Sequence, residues 1–211
     1  MKHPHRATQS IVPVFDDFPN EAAVIARLLA GYGEIEFDLC NCLGAVLGND
    51  DTAIRTLFRL RSEDQRLHTA DALMRPAFVK LNLTDQYNEA LGAIRWCKSV
   101  RNQYAHCHWI TRPGQLLFID LDEGAKSAIG TIELRIKHVD APLLAEQEAY
   151  FIYANDWLKF FHYELHKARG EMDEASIHYW TAPRIIPQPK QHNPPPTRTL
   201  QEILRAYAPH Q

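Results

Sequence analysis

At 211 residues, 45% of them hydrophobic and 23% charged, the chain is long enough to bury one core and too short to require two. A formal net charge of −3, with 11 histidines counted as neutral, excludes a surface drawn as a whole to a polyanion, so any nucleic-acid contact has to come from a local basic patch. Arg, Glu and Asp interrupt every apolar run before about 18 residues, and no apolar stretch follows Met1-Lys2-His3-Pro4-His5-Arg6, which predicts a soluble, cytoplasmic protein without membrane contact.

Residues 1–19 are polar and then punctuated by Pro13 and Pro19, which predicts an extended N-terminal arm tacked down by Phe15 and Phe18. From Asn20, a candidate N-cap, apolar residues recur at Ile25, Leu28, Leu29, Tyr32, Ile35, Leu39, Leu43 and Val46, the signature of a long amphipathic helix that stops at Gly48-Asn49. Gly33, Phe37, Cys40 and Gly44 form a second ridge on it, where glycines would admit a close neighbour. Asp50-Asp51 is placed to cap a shorter helix with Ile54, Leu57 and Phe58. Ser62-Glu63-Asp64-Gln65 reads as a capping box opening a third helix, with Leu67, Ala70, Leu73, Met74, Ala77 and Phe78 on one face and Pro76 as a kink.

Thr84-Asp85 begins a fourth helix along Tyr87, Ala90, Leu91, Ile94, Cys97, Val100 and Tyr104, ending near His108. Leu116 to Leu121 and the alternating Ile132 to Lys137, separated by Pro113-Gly114 and Glu123-Gly124 turns, predict a small antiparallel β insertion over about 110–138. Asp140 with Pro142 starts a last long helix that ends at Gly170, and its aromatic stripe is assigned to the core. Residues 171–211 are a Pro-rich tail whose end, from the capping box Thr199-Leu200-Gln201-Glu202 through Ile203, Leu204 and Tyr207, predicts a short amphipathic helix. It would dock on its own domain or on a dimer mate rather than on a separate partner. The fold expectation is therefore mainly α, a helical domain over 20–170 between an arm and a tail.

The segment with chemistry is Arg101-Asn102-Gln103-Tyr104-Ala105-His106. Arg101 falls beside an apolar helix line, where an arginine calls for an anionic partner. His106 lies about 140° around and about 7.5 Å along the helix, within converging reach of one phosphodiester. Asn102, four residues before His106, could orient the imidazole or touch substrate. RNA cleavage without a metal needs such groups: an imidazole exchanges a proton with the 2′-hydroxyl or the leaving oxygen, and a guanidinium neutralises charge on the phosphate. Arg95 and Lys98 would add a positive ridge for RNA, or equally a solvated helix face. Glu36, on the apolar stripe of the first helix, needs a cation. Arg101 or His106 would organise a site, and a structural salt bridge between helices fits slightly better.

Arg, then Asn, three further residues and His near the end of a helix resembles the Arg-Asn-x-x-x-His signature of the HEPN superfamily (higher eukaryotes and prokaryotes nucleotide-binding). The order of long first helix, intermediate helices, motif helix and long final helix is similar to its up-and-down bundle. The resemblance implies a metal-independent endoribonuclease, often a toxin or antiphage effector, acting as a homodimer on RNA. In that role Arg101 would bind the scissile phosphate and His106 would transfer protons, with Asn102 and Tyr104 supporting them. It also implies possible partners such as an antitoxin, and an alternative: a non-catalytic nucleotide-binding or protein-interaction adaptor.

No cofactor or metal is expected. Cys40 and Cys42 point about 200° apart on a helix and cannot share an ion, while His162 and His166, spaced i, i+4, lack an evident third ligand and match a helix surface more often than a metal site. Gly31-Tyr32-Gly33 sits within a helical pattern, so a phosphate-binding loop is unsupported. The four cysteines, which include Cys97 and Cys107, read as reduced thiols.

Overall fold

The structure, a computed structural model, describes residues 10–126, 135–171 and 181–194. It is mainly helical with a small three-stranded antiparallel sheet. Six α-helices are found among the described residues: α1 Pro19–Leu47, α2 Asp50–Phe58, α3 Glu63–Lys80, α4 Thr84–His106, α5 Leu121–Ala125 and α6 Ala141–Ala168. The strands are β1 Cys107–Arg112, β2 Gln115–Asp120 and β3 Ile136–Val139, in the order β1-β2-β3. The predicted terminal helix, and the Ile132 to Leu134 part of the predicted strand, lie outside the described residues.

Helices α1 and α6 form the principal pair, with α4 packed against both and α3 closing over α1 and α4. Their apolar stripes meet in one core, where Phe78 stacks on Tyr87 at 4.6 Å and Trp157 on Phe161 at 5.6 Å. The aromatic stripe of α6 is core, as its spacing predicted. No helix among the described residues is long and apolar enough to cross a membrane.

Local chemistry explains most boundaries. Asp140 accepts from the Leu143 amide and caps α6, and Gly170 stops it in the left-handed region at φ 70°. Several details differ from the sequence expectation. The arm is not wholly extended, because Pro13 opens a 3-10 turn over Pro13–Asp16. Helix α1 begins at Pro19, with Phe18 and not Asn20 in the cap position. Asn49, rather than Asp50-Asp51, caps α2 by accepting from the Thr52 amide at 2.8 Å. Ser62 and Leu83 occupy the cap positions of α3 and α4 without a side-chain cap bond.

The helix carrying the motif ends at His106, and the chain passes directly into β1, so the β insertion starts earlier than 110 and runs to Val139. Trp109 packing accounts for this: its ring lies 5.5 Å from Tyr104, 5.3 Å from Phe118 and 5.3 Å from Phe15, which binds strand, helix and arm together. Phe118 and Leu116 join the main core, while Leu117 and Ile136 make a separate small cluster on the opposite face of the sheet.

Of the predicted ridge, Cys40 is buried in the core, and of its two glycines only Gly44 has a close neighbour. A Cβ there would stand 2.1 Å from Asp50 Oδ1 and 3.2 Å from its Cα, whereas Gly33 has open space and Phe37 is exposed. Gly44→Ala is expected to destabilise by roughly 1–3 kcal/mol through overpacking. Gly33→Ala should instead stabilise by about 0.5–1 kcal/mol through helix propensity. Urea denaturation of the two variants checks the pair.

Candidate functional site

Residues 101–106 occupy the last turns of α4, and the structure divides them by environment. His106 and Ala105 are exposed, Arg101 and Asn102 are partly buried, and Gln103 and Tyr104 are buried. The Arg101 guanidinium forms an ion pair through Nη1 with Glu63 Oε1 at 2.8 Å and donates to Asn102 Oδ1 at 2.8 Å. It also lies 5.9 Å from the centre of the Tyr32 ring. Burial, with help from the Glu36 and Glu63 charges, pushes the Tyr32 hydroxyl far above its ordinary pKa, so it remains a neutral phenol beside the guanidinium.

Asn102 thus orients Arg101 rather than the imidazole. Tyr104 points into the core, where its hydroxyl donates to Gln147 Oε1 at 2.6 Å. Gln147 is fully buried and spends its amide on the tail, donating to the carbonyl oxygens of Lys190 at 2.9 Å and Gln191 at 3.1 Å. Gln191 then donates to Ser99 Oγ on α4 at 3.0 Å. One anchor on α6 and one on α4 therefore hold the tail against the two helices.

Glu36 pairs with neither Arg101 nor His106. It accepts from Arg66 at 2.8 Å, and Arg66 also donates to the Leu60 carbonyl at 2.9 Å and lies over Phe58. The structural salt bridge between helices is the arrangement present. Its physical cause is the first turn of α3, which offers Arg66 to α1 and Glu63 to α4. The residues expected to form a capping box face α4 instead: Glu63 meets Arg101 and Asp64 meets Lys98, while Asp71, two turns on, lies 3.7 Å from Arg95. The basic ridge of α4 is matched by an acidic ridge on α3. Sequence reasoning missed Glu63 because its Ser-x-x-Gln context satisfied a local pattern.

Beside Asn102 opens a cavity of about 750 Å³ between α3, α4, the β insertion and the tail. Arg95, Lys98, Asn102 and Gln103 line it from α4, whereas Arg101 and His106 do not; Gln191 and His192 supply the tail's wall. Its four cations, Arg95, Lys98, Lys126 and Lys137, face four carboxylates, Asp64, Asp120, Asp122 and Glu123. Such a wall favours a polar ligand without a large net charge. Gln103 is 8% exposed and donates to Asp120 at 3.4 Å, and its Oε1 has no partner among the described residues.

Lys137 is the buried charge of this wall, 3.4 Å from Asp120 and 2.5 Å from Glu123. Burial works against the Asp120 carboxylate, yet the Glu123 amide, Lys137 and Gln103 together hold it below the usual range. A carboxylate depressed in the folded state contributes stability above its unfolded pKa near 3.9 and loses it as pH falls through the folded value. Wild type should therefore lose protection of the β2 and β3 amides below about pH 4, and Asp120→Asn should flatten that acid limb in hydrogen exchange. Gln147→Leu, which strands the Tyr104 hydroxyl and two tail carbonyls, should speed limited proteolysis within 181–194 at least several-fold.

Cys40, Cys42 and Cys97 are buried free thiols, and burial also raises the half-buried Cys107 to about 12, which leaves no activated nucleophile among them. No group of three or more His, Cys, Asp or Glu among the described residues is arranged to hold a metal. No protein-family model, no curated protein and no solved structure matches the chain, so the meaning of this site rests on its own geometry.

Proposed function

We propose that the chain is a metal-independent endoribonuclease of HEPN type, with Arg101 and His106 as its catalytic pair and a second copy of the chain completing the cleft. The supporting observation is that neither group is sealed in the core: His106 is exposed at the end of α4 and the Arg101 side chain is 31% exposed. The helical order of a long first helix, a motif helix and a long last helix agrees with the resemblance drawn from the sequence.

In the proposed reaction the 2′-oxygen attacks the neighbouring phosphorus and the bond to the 5′-oxygen breaks. His106 of one copy takes the 2′-hydroxyl proton, and the protonated His106 of the second copy gives one to the leaving 5′-oxygen. Arg101 stabilises the charge that builds on the non-bridging oxygens, and Asn102 holds the guanidinium in place. Glu63 occupies the guanidinium in the free protein, so RNA would have to displace a carboxylate. The resemblance extends the proposal to a toxin or antiphage role in a cytoplasmic setting, with an antitoxin as a possible protein partner.

The occupied guanidinium is also what favours the second reading, a non-catalytic adaptor in which Arg101 is a structural tie between α3 and α4. Purified protein should cleave RNA in the presence of EDTA, and Arg101→Ala and His106→Ala should each lower the rate by at least about 100-fold at unchanged circular dichroism. Absence of EDTA-resistant cleavage, or its retention in both variants, overturns the nuclease. Glu63→Gln separates the readings further: under the nuclease it should tighten RNA binding, and under the adaptor it should only lower the melting temperature.

A further inference from the structure

We propose that His162 and His166 on α6 form a binding site for a late first-row divalent cation of the zinc type, separate from the residues discussed for RNA. The two imidazoles share a helix face, and their Nε2 atoms stand 3.1 Å apart. Two nitrogens bound at about 2.0–2.1 Å to one ion are separated by about 2.9 Å at a right angle and about 3.4 Å at the tetrahedral angle. The observed separation falls between these values, so a small rotation of either ring seats an ion.

The second contact of His166 points the same way. Glu171 Oε2 lies 2.6 Å from His166 Nδ1, which keeps the proton on Nδ1 and leaves the Nε2 lone pair directed at His162. A carboxylate behind a histidine in this manner fixes the tautomer and ring angle that metal-binding imidazoles use. With His166 Nε2 unprotonated, the 3.1 Å contact is a hydrogen bond donated by His162 Nε2, so an ion enters by taking the place of that proton while His162 shifts to its Nδ1–H tautomer.

Both rings open to a cavity of about 340 Å³ shared with α1, where Asp38 and Asn41 form the opposite wall. Asp38 accepts from Asn41 at 3.3 Å. Lys159 also lines the cavity and pairs with Asp156 at 3.8 Å. The Tyr163 hydroxyl is buried at the same wall without a hydrogen-bond partner among the described residues. No third protein ligand stands in range among those residues. The ion would keep water in its remaining positions, with Asp38 and Tyr163 available to those waters, and the site would favour imidazole-preferring ions over Mg²⁺.

The test is calorimetric titration of the full chain with Zn²⁺, with Mg²⁺ as control. Because the chain has 11 histidines, the double variant His162→Ala/His166→Ala defines the background. Wild type should show one additional saturable Zn²⁺ site per chain, absent from the double variant and weakened by about 10-fold or more in Glu171→Gln. In wild type alone, histidine ring NMR resonances of His162 and His166 should move first on adding Zn²⁺, which needs no variant to fold. A wild-type titration that superimposes on the double variant, or ring resonances that stay put while others move, overturns the site. Neither outcome bears on cleavage in EDTA.

Discussion

The buried amide of Gln147 is the contact on which the arrangement of this protein turns. A fully buried polar side chain is tolerated only when its hydrogen-bonding capacity is spent, and here the oxygen takes the Tyr104 hydroxyl while the nitrogen serves two tail carbonyls. Three segments distant in sequence are thereby joined at one point: the motif helix, the last helix and residues 190–191. Loss of any one leaves the others with unpaired groups in a low-dielectric interior, so the cost is shared and the assembly cooperative.

Above that point the surface is organised by charge. The α3 and α4 ridges carry opposite signs, which turns a basic face that could have met a polyanion into an internal seam. Partly exposed pairs of this kind contribute on the order of 1 kcal/mol or less each, so they do little for stability. They matter more for what they exclude. A ligand approaching Arg101 must compete with Glu63 for the guanidinium.

Much of the fold was legible in the sequence, because long apolar stripes with a 3.6-residue period define α1, α4 and α6 and because Asp140 and Gly170 mark the ends of the last helix. What escaped were contacts between segments. The periodicity placed Glu36 on a buried face, yet nothing in it could choose among Arg66, Arg101 and His106, since that choice depends on which helix packs nearest. Strand β1 was hidden because helical spacing carries through Tyr104 and the switch at Cys107 is enforced by Trp109 packing rather than by a local breaker. Of the site, the positions of Arg101 and His106 at a helix end could be read directly; the tail's share of the neighbouring cavity could not, because Pro-rich composition resembles a linker whether or not it is anchored.

The contact between Asn193 and His138 adds a last consequence. Strand β3 is one of the two edges of the sheet, and the tail pairs with it at one point: the Asn193 amide donates to the His138 carbonyl at 2.8 Å, and its side chain donates to Asp140 at 2.9 Å. An uncovered edge offers unpaired backbone groups to any neighbouring strand. A chain trimmed before this point would present a template for its own kind, so the segment that looks most dispensable by composition also protects the protein from self-association.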